Sequence, residues 1–242
     1  MKKKWIYMLL ALTVVFSTAM YFGYNARGQS TLLRITTDEE FYSHYDVPLE
    51  HRDYLDHLKT QGFDSNQIRI AYAFLNERYG KLEELDLLLE KATSGQKWST
   101  IFEGYDSAKV PFIPRSFDSE YLDKLLLAEL STDDIMICDR LSFISGEDFD
   151  TLMNDYMEGL SWSDMSKNLG IISNEENLLR VQVTSDAIKT YTEQYNLSED
   201  IIVEAFVTAS KLGINEQEVL SKYSEGMNAY EILEYYFVQM FI

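Results

Sequence analysis

The sequence predicts an all-α protein, built as an array of three similar helical repeat units behind an N-terminal hydrophobic segment. The main observation is a period of about 67 residues, which separates Phe63, Leu130 and Leu197. Each is followed by a polar helix cap, apolar residues spaced as on one helix face, and a glycine. Repeats of this size bury their apolar faces mainly against neighbouring copies, and three copies are about the minimum for a stable array.

The N-terminus predicts an exported protein. Three lysines at residues 2–4 precede an apolar run of 18 residues at 5–22, which is the arrangement of an export signal. Two outcomes stay open, because the run is close to the roughly 20 residues that span a bilayer, whereas the small residues at 17–19 suit a cleavage site. No cysteine stands directly after the run, so a lipoprotein anchor is excluded. The protein is expected on the extracellular face as a single-pass signal anchor, or secreted.

The first helix after each repeated apolar residue has start and stop signals. Good N-cap side chains precede it in every copy, at Asp64, Ser131 and Ser198. A glycine that suits a left-handed C-terminal cap follows it, at Gly80, Gly146 and Gly213. A second amphipathic helix, a further glycine and a short third segment come next, and another amphipathic helix lies upstream.

These signals divide the chain into five segments. They are a signal peptide or anchor at 1–27, a stalk at 28–47, and helical repeats of about three helices each at 48–105, 115–170 and 182–242. Residues 104–116, which include two prolines, are the predicted hinge between the first two repeats. The lone Cys138 leaves the chain without an internal disulfide, so packing must supply the stability.

The charge balance disfavours nucleic acid as a partner. Residues 1–27 hold four of the 21 basic side chains and none of the 40 acidic ones, so the remainder has a formal charge of −23. Nucleic-acid binding depends on lysine and arginine displacing counterions from phosphates. The acidic surface therefore indicates solubility, or a basic partner.

Residues 161–181 resemble the helix-turn-helix of DNA-binding proteins over a stretch of about 20 residues, with a short helix, a glycine turn and a second helix. The second helix would present Glu175, Glu176 and Asn177, with Arg180 as its only cation. Recognition of bases and phosphates needs basic and amide side chains at the groove. We therefore interpret this segment as a tight helical corner within a repeat, without nucleic-acid binding.

The sequence contains no pattern that predicts a catalytic, cofactor-binding or metal-binding residue. Cys138 matches Ala71 and Ala205 in the other copies, which indicates a small packing position. His51 and His57 are six positions apart, whereas a helical metal pair needs four, so a solvated helix face is expected for them. Phosphate-binding and hydrolase motifs are absent from the sequence.

The C-terminal aromatic segment is the predicted interface. Terminal repeats normally present a polar outer face, but this chain ends in Tyr235, Tyr236, Phe237, Met240 and Phe241. Either the segment folds back into the third repeat or it docks on a partner, since aromatic and Met side chains are enriched where interfaces bury their energy.

These features predict a protein-interaction or scaffolding module at the cell surface, which is not an enzyme. Its expected contacts are a protein partner or a second copy of itself, and the membrane through the N-terminal helix. The alternative is an enzyme that acts on the cell envelope with a carboxylate pair between repeats. An isolated pair of buried acids would favour the enzyme, and a solvated acidic face with an apolar patch would favour the binding module.

Overall fold

The computed structural model describes residues 32–173 and 175–242. The predicted signal peptide or anchor at 1–27 and the first residues of the predicted stalk lie outside this range. Within the described part of the chain, no helix is both long enough and apolar enough to cross a bilayer.

The described residues form an all-α fold, as the sequence predicts. The helices are α1 (Asp38–His44), α2 (Leu49–Thr60), α3 (Ser65–Arg78), the 3-10 turn η1 (Leu82–Glu84), α4 (Leu85–Thr93), α5 (Trp98–Ala108), α6 (Ser119–Leu127), α7 (Thr132–Ser145), α8 (Phe149–Met157), α9 (Trp162–Asn168), α10 (Ser185–Tyr195), α11 (Glu199–Leu212), α12 (Glu216–Ser224) and α13 (Ala229–Phe241). Within residues 32–173 and 175–242 no strand forms, and a single antiparallel bridge joins Lys81 to Ile171.

The chain divides into two compact units. The larger unit is Arg34–Gln182 together with Met227–Ile242, and the smaller unit includes Val183–Gly226. The last helix, α13, therefore belongs to the larger unit, although the chain reaches it through the smaller one.

The helices begin where the cap residues predict. Asp64 accepts hydrogen bonds from two backbone N–H groups in the first turn of α3. Ser131 and Asp134 form a reciprocal capping box at α7. Ser198 takes the N-cap position of α11 with extended backbone, but its side chain makes no capping hydrogen bond.

The end of α3 differs from the prediction. Gly146 and Gly213 follow α7 and α11 in the left-handed conformation, with φ of 80° and 65°. At α3 the left-handed residue is Tyr79, with φ of 54°, and not Gly80. Tyr79, Gly146 and Gly213 lie 67 residues apart, so tyrosine stands where the other two copies have glycine. This conformation costs a residue with a side chain about 1 kcal/mol, so the surroundings must hold Tyr79 in place.

Glycine is needed at position 80 because neighbouring side chains lie close to its backbone, and not because of its φ angle. A Cβ atom there would lie 2.5 Å from Leu75 Cδ2 and 3.0 Å from the hydroxyl oxygen of Tyr105. Its carbonyl oxygen also accepts a hydrogen bond of 2.7 Å from the backbone N–H of Ile172. The turn after α3 is thereby fixed to the segment that follows α9.

The first core of the larger unit surrounds α3. Phe74 of α3 stacks on Phe102 of α5, with ring centroids 4.1 Å apart and planes 10° apart. Phe237 of α13 meets Phe102 edge-on at 6.2 Å. The backbone N–H of Ile35 donates to the Met240 carbonyl at 2.8 Å. Helix α13, the last in the chain, thus packs against α3 and α5, which lie in the first half of the chain.

The second core of the larger unit surrounds Trp162 of α9. Its ring stacks on Tyr156 at a centroid distance of 4.2 Å, and its indole N–H donates to Asp134 at 2.9 Å. The Tyr79 side chain belongs to this cluster as well. The strained residue at the end of α3 therefore packs its ring among side chains of α6–α9.

The smaller unit is formed by α10, α11 and α12. Its apolar stripe on α11 is buried as the sequence predicts, with Ile202, Ala205, Phe206 and Ala209 inside. Tyr191 of α10 packs its ring against Phe206 at 5.7 Å. The 3.6-residue periodicity of α11 therefore identifies the face that this unit buries.

Glu234 of α13 supplies the cap that α5 lacks. Lys97 precedes α5 and makes no side-chain capping bond, but the Glu234 carboxylate accepts from the backbone N–H groups of Trp98 at 3.3 Å and Ser99 at 3.2 Å. We expect Glu234→Ala to lower the free energy of unfolding by about 1 kcal/mol, because it removes a carboxylate cap. Urea denaturation measures this, with the exposed Glu90→Ala on α4 as the matched control. Equal losses for the two variants would contradict the capping role.

Candidate functional site

The larger unit contains an open cleft of about 840 Å³. Its walls are the end of α3, the turn η1, the end of α5, the connection that follows α5, and one face of α7. Pro111 and Pro114 keep the connection out of helical conformation, because proline blocks the helical hydrogen bonds and restricts the preceding residue. Charged side chains and aromatic rings line the cleft side by side.

Tyr79 lines this cleft. Its ring is buried, and its hydroxyl donates a hydrogen bond to the Glu175 carboxylate. Burial, followed by the negative charge of Glu175, raises the pKa of the Tyr79 hydroxyl, so it stays protonated as a donor. Strained residues cluster at binding and catalytic sites, where the surroundings hold them. Tyr79 combines strain, burial and a position in the cleft wall.

Arg140 of α7 lies against the rings of this cleft. Its guanidinium carbon is 4.2 Å from the centroid of the Tyr79 ring and 5.7 Å from that of Phe112, distances typical of cation–π contact. Its Nε atom is buried without a hydrogen-bond acceptor. Among the described residues, Arg140 has no carboxylate within ion-pair distance. Its charge is therefore oriented by aromatic faces and not neutralised by an acid.

Two other cations of the cleft, Arg78 and Lys109, are neutralised. Arg78 Nε donates to both carboxylate oxygens of Asp106, at 3.1 and 3.0 Å. Lys109 forms an ion pair with Glu84, which also accepts from the Tyr105 hydroxyl at 2.6 Å. Burial opposes the ionised form of Glu84, but the hydrogen bonds from Lys109 and Tyr105 outweigh it and lower the pKa of this carboxyl.

Apolar side chains are exposed at the rim. Val110 is 75% exposed and the nearby Ile113 is 79% exposed. Phe112 and Phe143 form a ring pair with centroids 5.5 Å apart, and Phe143 is 44% exposed. Clustered exposed apolar side chains beside polar ones are typical of binding surfaces.

The predicted C-terminal interface residues lie mostly inside the larger unit. Tyr236, Phe237, Met240 and Phe241 are buried on α13, and Tyr235 is 38% exposed. In this conformation only Tyr235 offers much surface to a partner. An interface at this helix stays a prediction, and the cleft is the better-formed candidate.

Cys138 and the histidines carry no recognisable chemistry. Cys138 is buried as predicted, and burial raises the pKa of its thiol to about 12. His51 is not on a solvated face as expected, since it is buried and its Nδ1 lies 3.3 Å from the Tyr72 hydroxyl. In the part of the chain that the structure describes, no three His, Cys, Asp or Glu side chains are grouped as a metal site.

The buried carboxylates are separately satisfied. Asp134 accepts from Ser131 and from the Trp162 indole, and Asp139 accepts from the backbone and side chain of Arg115. These are the buried acids among the described residues. Each has a structural partner, and neither is an isolated acid of the kind that a hydrolytic site needs.

The segment that resembles a helix-turn-helix lacks its second helix. Helix α9 is followed by residues 169–184 without a further helix in their described part. Glu176 instead caps α9, by accepting from the backbone N–H groups of Trp162 at 3.3 Å and Ser163 at 2.8 Å. The expected helical corner is therefore a short helix followed by a non-helical segment whose Glu176 caps it, and the absence of nucleic-acid binding stays a prediction.

The cleft leaves little trace in the sequence. One signal was present, because Tyr79 breaks a glycine period that the other two copies keep. Arg140 gave no signal, since its partners Tyr79 and Phe112 are far from it in sequence and no local spacing unites the three residues.

No family model, no curated protein and no solved structure matches this chain.

Proposed function

We propose that this protein is an exported helical-repeat module that binds a segment of a partner protein, or of a second copy of itself, in the cleft of the larger unit. The observation that carries the proposal is Arg140, a cation held on aromatic rings without a carboxylate partner among the described residues, beside exposed apolar side chains. Arginine and aromatic residues supply most of the energy at protein interfaces.

The helix lengths support the repeat arrangement. Helices α3, α7 and α11 each have 14 residues, and α4, α8 and α12 each have nine. The N-caps of the 14-residue helices recur with the 67-residue spacing of the sequence, at Asp64, Ser131 and Ser198. The proposed unit has four helices, one more than the sequence interpretation counted, with α2–α5, α6–α9 and α10–α13 as the three copies.

Two observations favour binding over catalysis. The buried carboxylates Asp134 and Asp139 each have structural partners. In the cleft, Asp106 and Glu84 are each held in an ion pair with a cation of the lining, which favours a structural role for them over acid–base catalysis. The cleft wall at Val110 and Phe143 is apolar and exposed, which suits a macromolecular contact.

The proposed location rests on the N-terminal sequence. Lysines at 2–4 followed by the apolar run at 5–22 support export, either as a single-pass anchor or after cleavage. The acidic body would then face the outside of the cell.

Site-specific photocrosslinking in the native cells tests the proposal. Val110 is replaced by the photoreactive residue p-benzoylphenylalanine, and Leu87, an exposed apolar residue of α4 outside the cleft, serves as the matched position. We expect one crosslinked product from position 110 and none from position 87, with the product lost in a Phe143→Asp background. Mass spectrometry distinguishes another protein from a second copy. Equal products from both positions, or a product that survives Phe143→Asp, would contradict cleft binding.

A further inference from the structure

We infer that the cleft takes an acidic peptide segment, with a carboxylate of the peptide at Arg140 and a neighbouring apolar side chain at Phe112 and Phe143. This inference rests on the proposed function and specifies the chemistry of its ligand.

The cleft concentrates positive charge in an acidic chain. The whole chain has a formal charge of −19. The charged side chains of the lining are the cations Arg78, Lys81, Lys109 and Arg140 and the acids Glu83, Glu84 and Asp106. Two of the cations are used in the ion pairs with Asp106 and Glu84. Lys81, Arg140 and Glu83 form no ion pair with another described residue, so the unpaired side chains of the lining leave one excess positive charge for an anion.

The guanidinium group of Arg140 is prepared for a planar acceptor. Contact of its guanidinium carbon with the Tyr79 ring at 4.2 Å restricts the side chain and reduces the entropy that a flexible arginine loses on binding. Arginine presents its N–H groups as a rigid fork that matches the two oxygens of a carboxylate. The Nε atom of Arg140 is buried without an acceptor among the described residues, so a ligand in the cleft would meet the terminal nitrogens of the guanidinium group.

The rim selects a peptide over a small anion. Phe112, Phe143 and Val110 lie beside the cation, and two of them are well exposed. A small inorganic anion would leave these apolar side chains in water, whereas a peptide with an aliphatic or aromatic residue next to its acid would cover them. A basic partner would meet Lys81 and Arg140 with like charge, which opposes association.

Selection of peptides from a random dodecapeptide phage library on the full-length protein tests the inference. We expect enriched peptides with Asp or Glu within a few residues of an aliphatic or aromatic residue. For a synthetic copy of the best peptide, we expect Arg140→Met to raise Kd about tenfold or more, because it removes a charge-assisted hydrogen bond. Lys124→Met on α6 makes the same charge change outside the cleft and should leave Kd within about twofold.

A double-mutant cycle between the protein and the peptide isolates the contribution of the ion pair to binding. Replacing the acid of the peptide by its amide should weaken binding to the unchanged protein by the same factor as Arg140→Met, and should remove the difference between the two proteins. If Arg140→Met does not fold, the amide peptide and Arg140→Lys, which keeps the charge but loses the fork, supply the same test.

The outcomes separate this inference from the proposed function. Enriched peptides that lack acids, or whose binding ignores Arg140 but is lost with Phe143→Asp, would overturn the acidic ligand and leave cleft binding intact. If no peptide is enriched over the background of an uncoated surface, both the acidic ligand and the proposed cleft binding are overturned.

Discussion

Replacement of Phe237 by alanine is expected to lower the free energy of unfolding of the larger unit by about 4 kcal/mol. The ring is 2% exposed and packs edge-on to Phe102 at 6.2 Å and beside Phe241 at 6.2 Å. Truncation of a buried phenylalanine removes its transfer free energy and leaves a cavity, which together cost roughly 3–5 kcal/mol. A loss of this size is a large share of the stability of a typical domain.

Tyr235→Ala is the matched control, because it removes an aromatic ring from the same helix at a position that is 38% exposed. We expect it to cost less than about 1 kcal/mol. Urea titrations followed by tryptophan fluorescence make the comparison, with Trp5→Phe as the background. Trp98 and Trp162 then report on the larger unit alone, since the other unit has no tryptophan within Val183–Gly226.

The same pair of variants decides between the two interpretations of the C-terminal aromatic residues. A large loss for Phe237→Ala with a small one for Tyr235→Ala means that α13 is a structural part of the larger unit. A loss below about 1 kcal/mol for Phe237→Ala would contradict the packing of α13 against α3 and α5. It would also favour the docking surface that the sequence suggested.

The local elements of this fold could be predicted because their signals are local. Asp64 and Ser131 cap their helices through backbone groups two or three residues away, and the apolar stripe of α11 faces the core through its own periodicity. Such features depend on a few neighbouring residues. Capping and periodicity therefore indicated the class of fold and the starts of α3 and α7.

The partners of each helix could not be predicted in this way. An apolar face shows that α13 is buried but not that Phe237 meets Phe102, which is 135 residues away. The same limit concealed the cleft, since Arg140 meets Tyr79 only after α3 and α7 have packed. His51 was expected in solvent for a related reason, because its contact with Tyr72 depends on how α2 packs on α3.

Replacement of Arg115 by methionine is expected to lower the free energy of unfolding by about 3 kcal/mol. Its backbone N–H and Nε donate to the Asp139 carboxylate at 2.8 and 2.5 Å, and a terminal nitrogen donates to the Ser142 hydroxyl at 3.1 Å. The Asp139 side chain is 4% exposed. Methionine keeps apolar contact with the Phe149 ring, over which the guanidinium lies at 4.6 Å. The main loss is therefore the counter-charge, and removing one partner of a buried pair is strongly destabilising.

Removal of the charge of Asp139 should lower the free energy of unfolding less than removal of Arg115, because the two side chains are buried to different extents. The Arg115 side chain is 42% exposed, so water can solvate its charge after Asp139→Asn, whereas Asp139 has no such access when Arg115 is lost. We expect Asp139→Asn to cost about 1 kcal/mol, the size of a typical lost hydrogen bond. The double variant should then be more stable than Arg115→Met alone, since it no longer buries an unpaired carboxylate. Urea titrations of the four proteins measure this cycle. A double variant that is less stable than Arg115→Met would show that Asp139 stabilises the fold through groups other than Arg115.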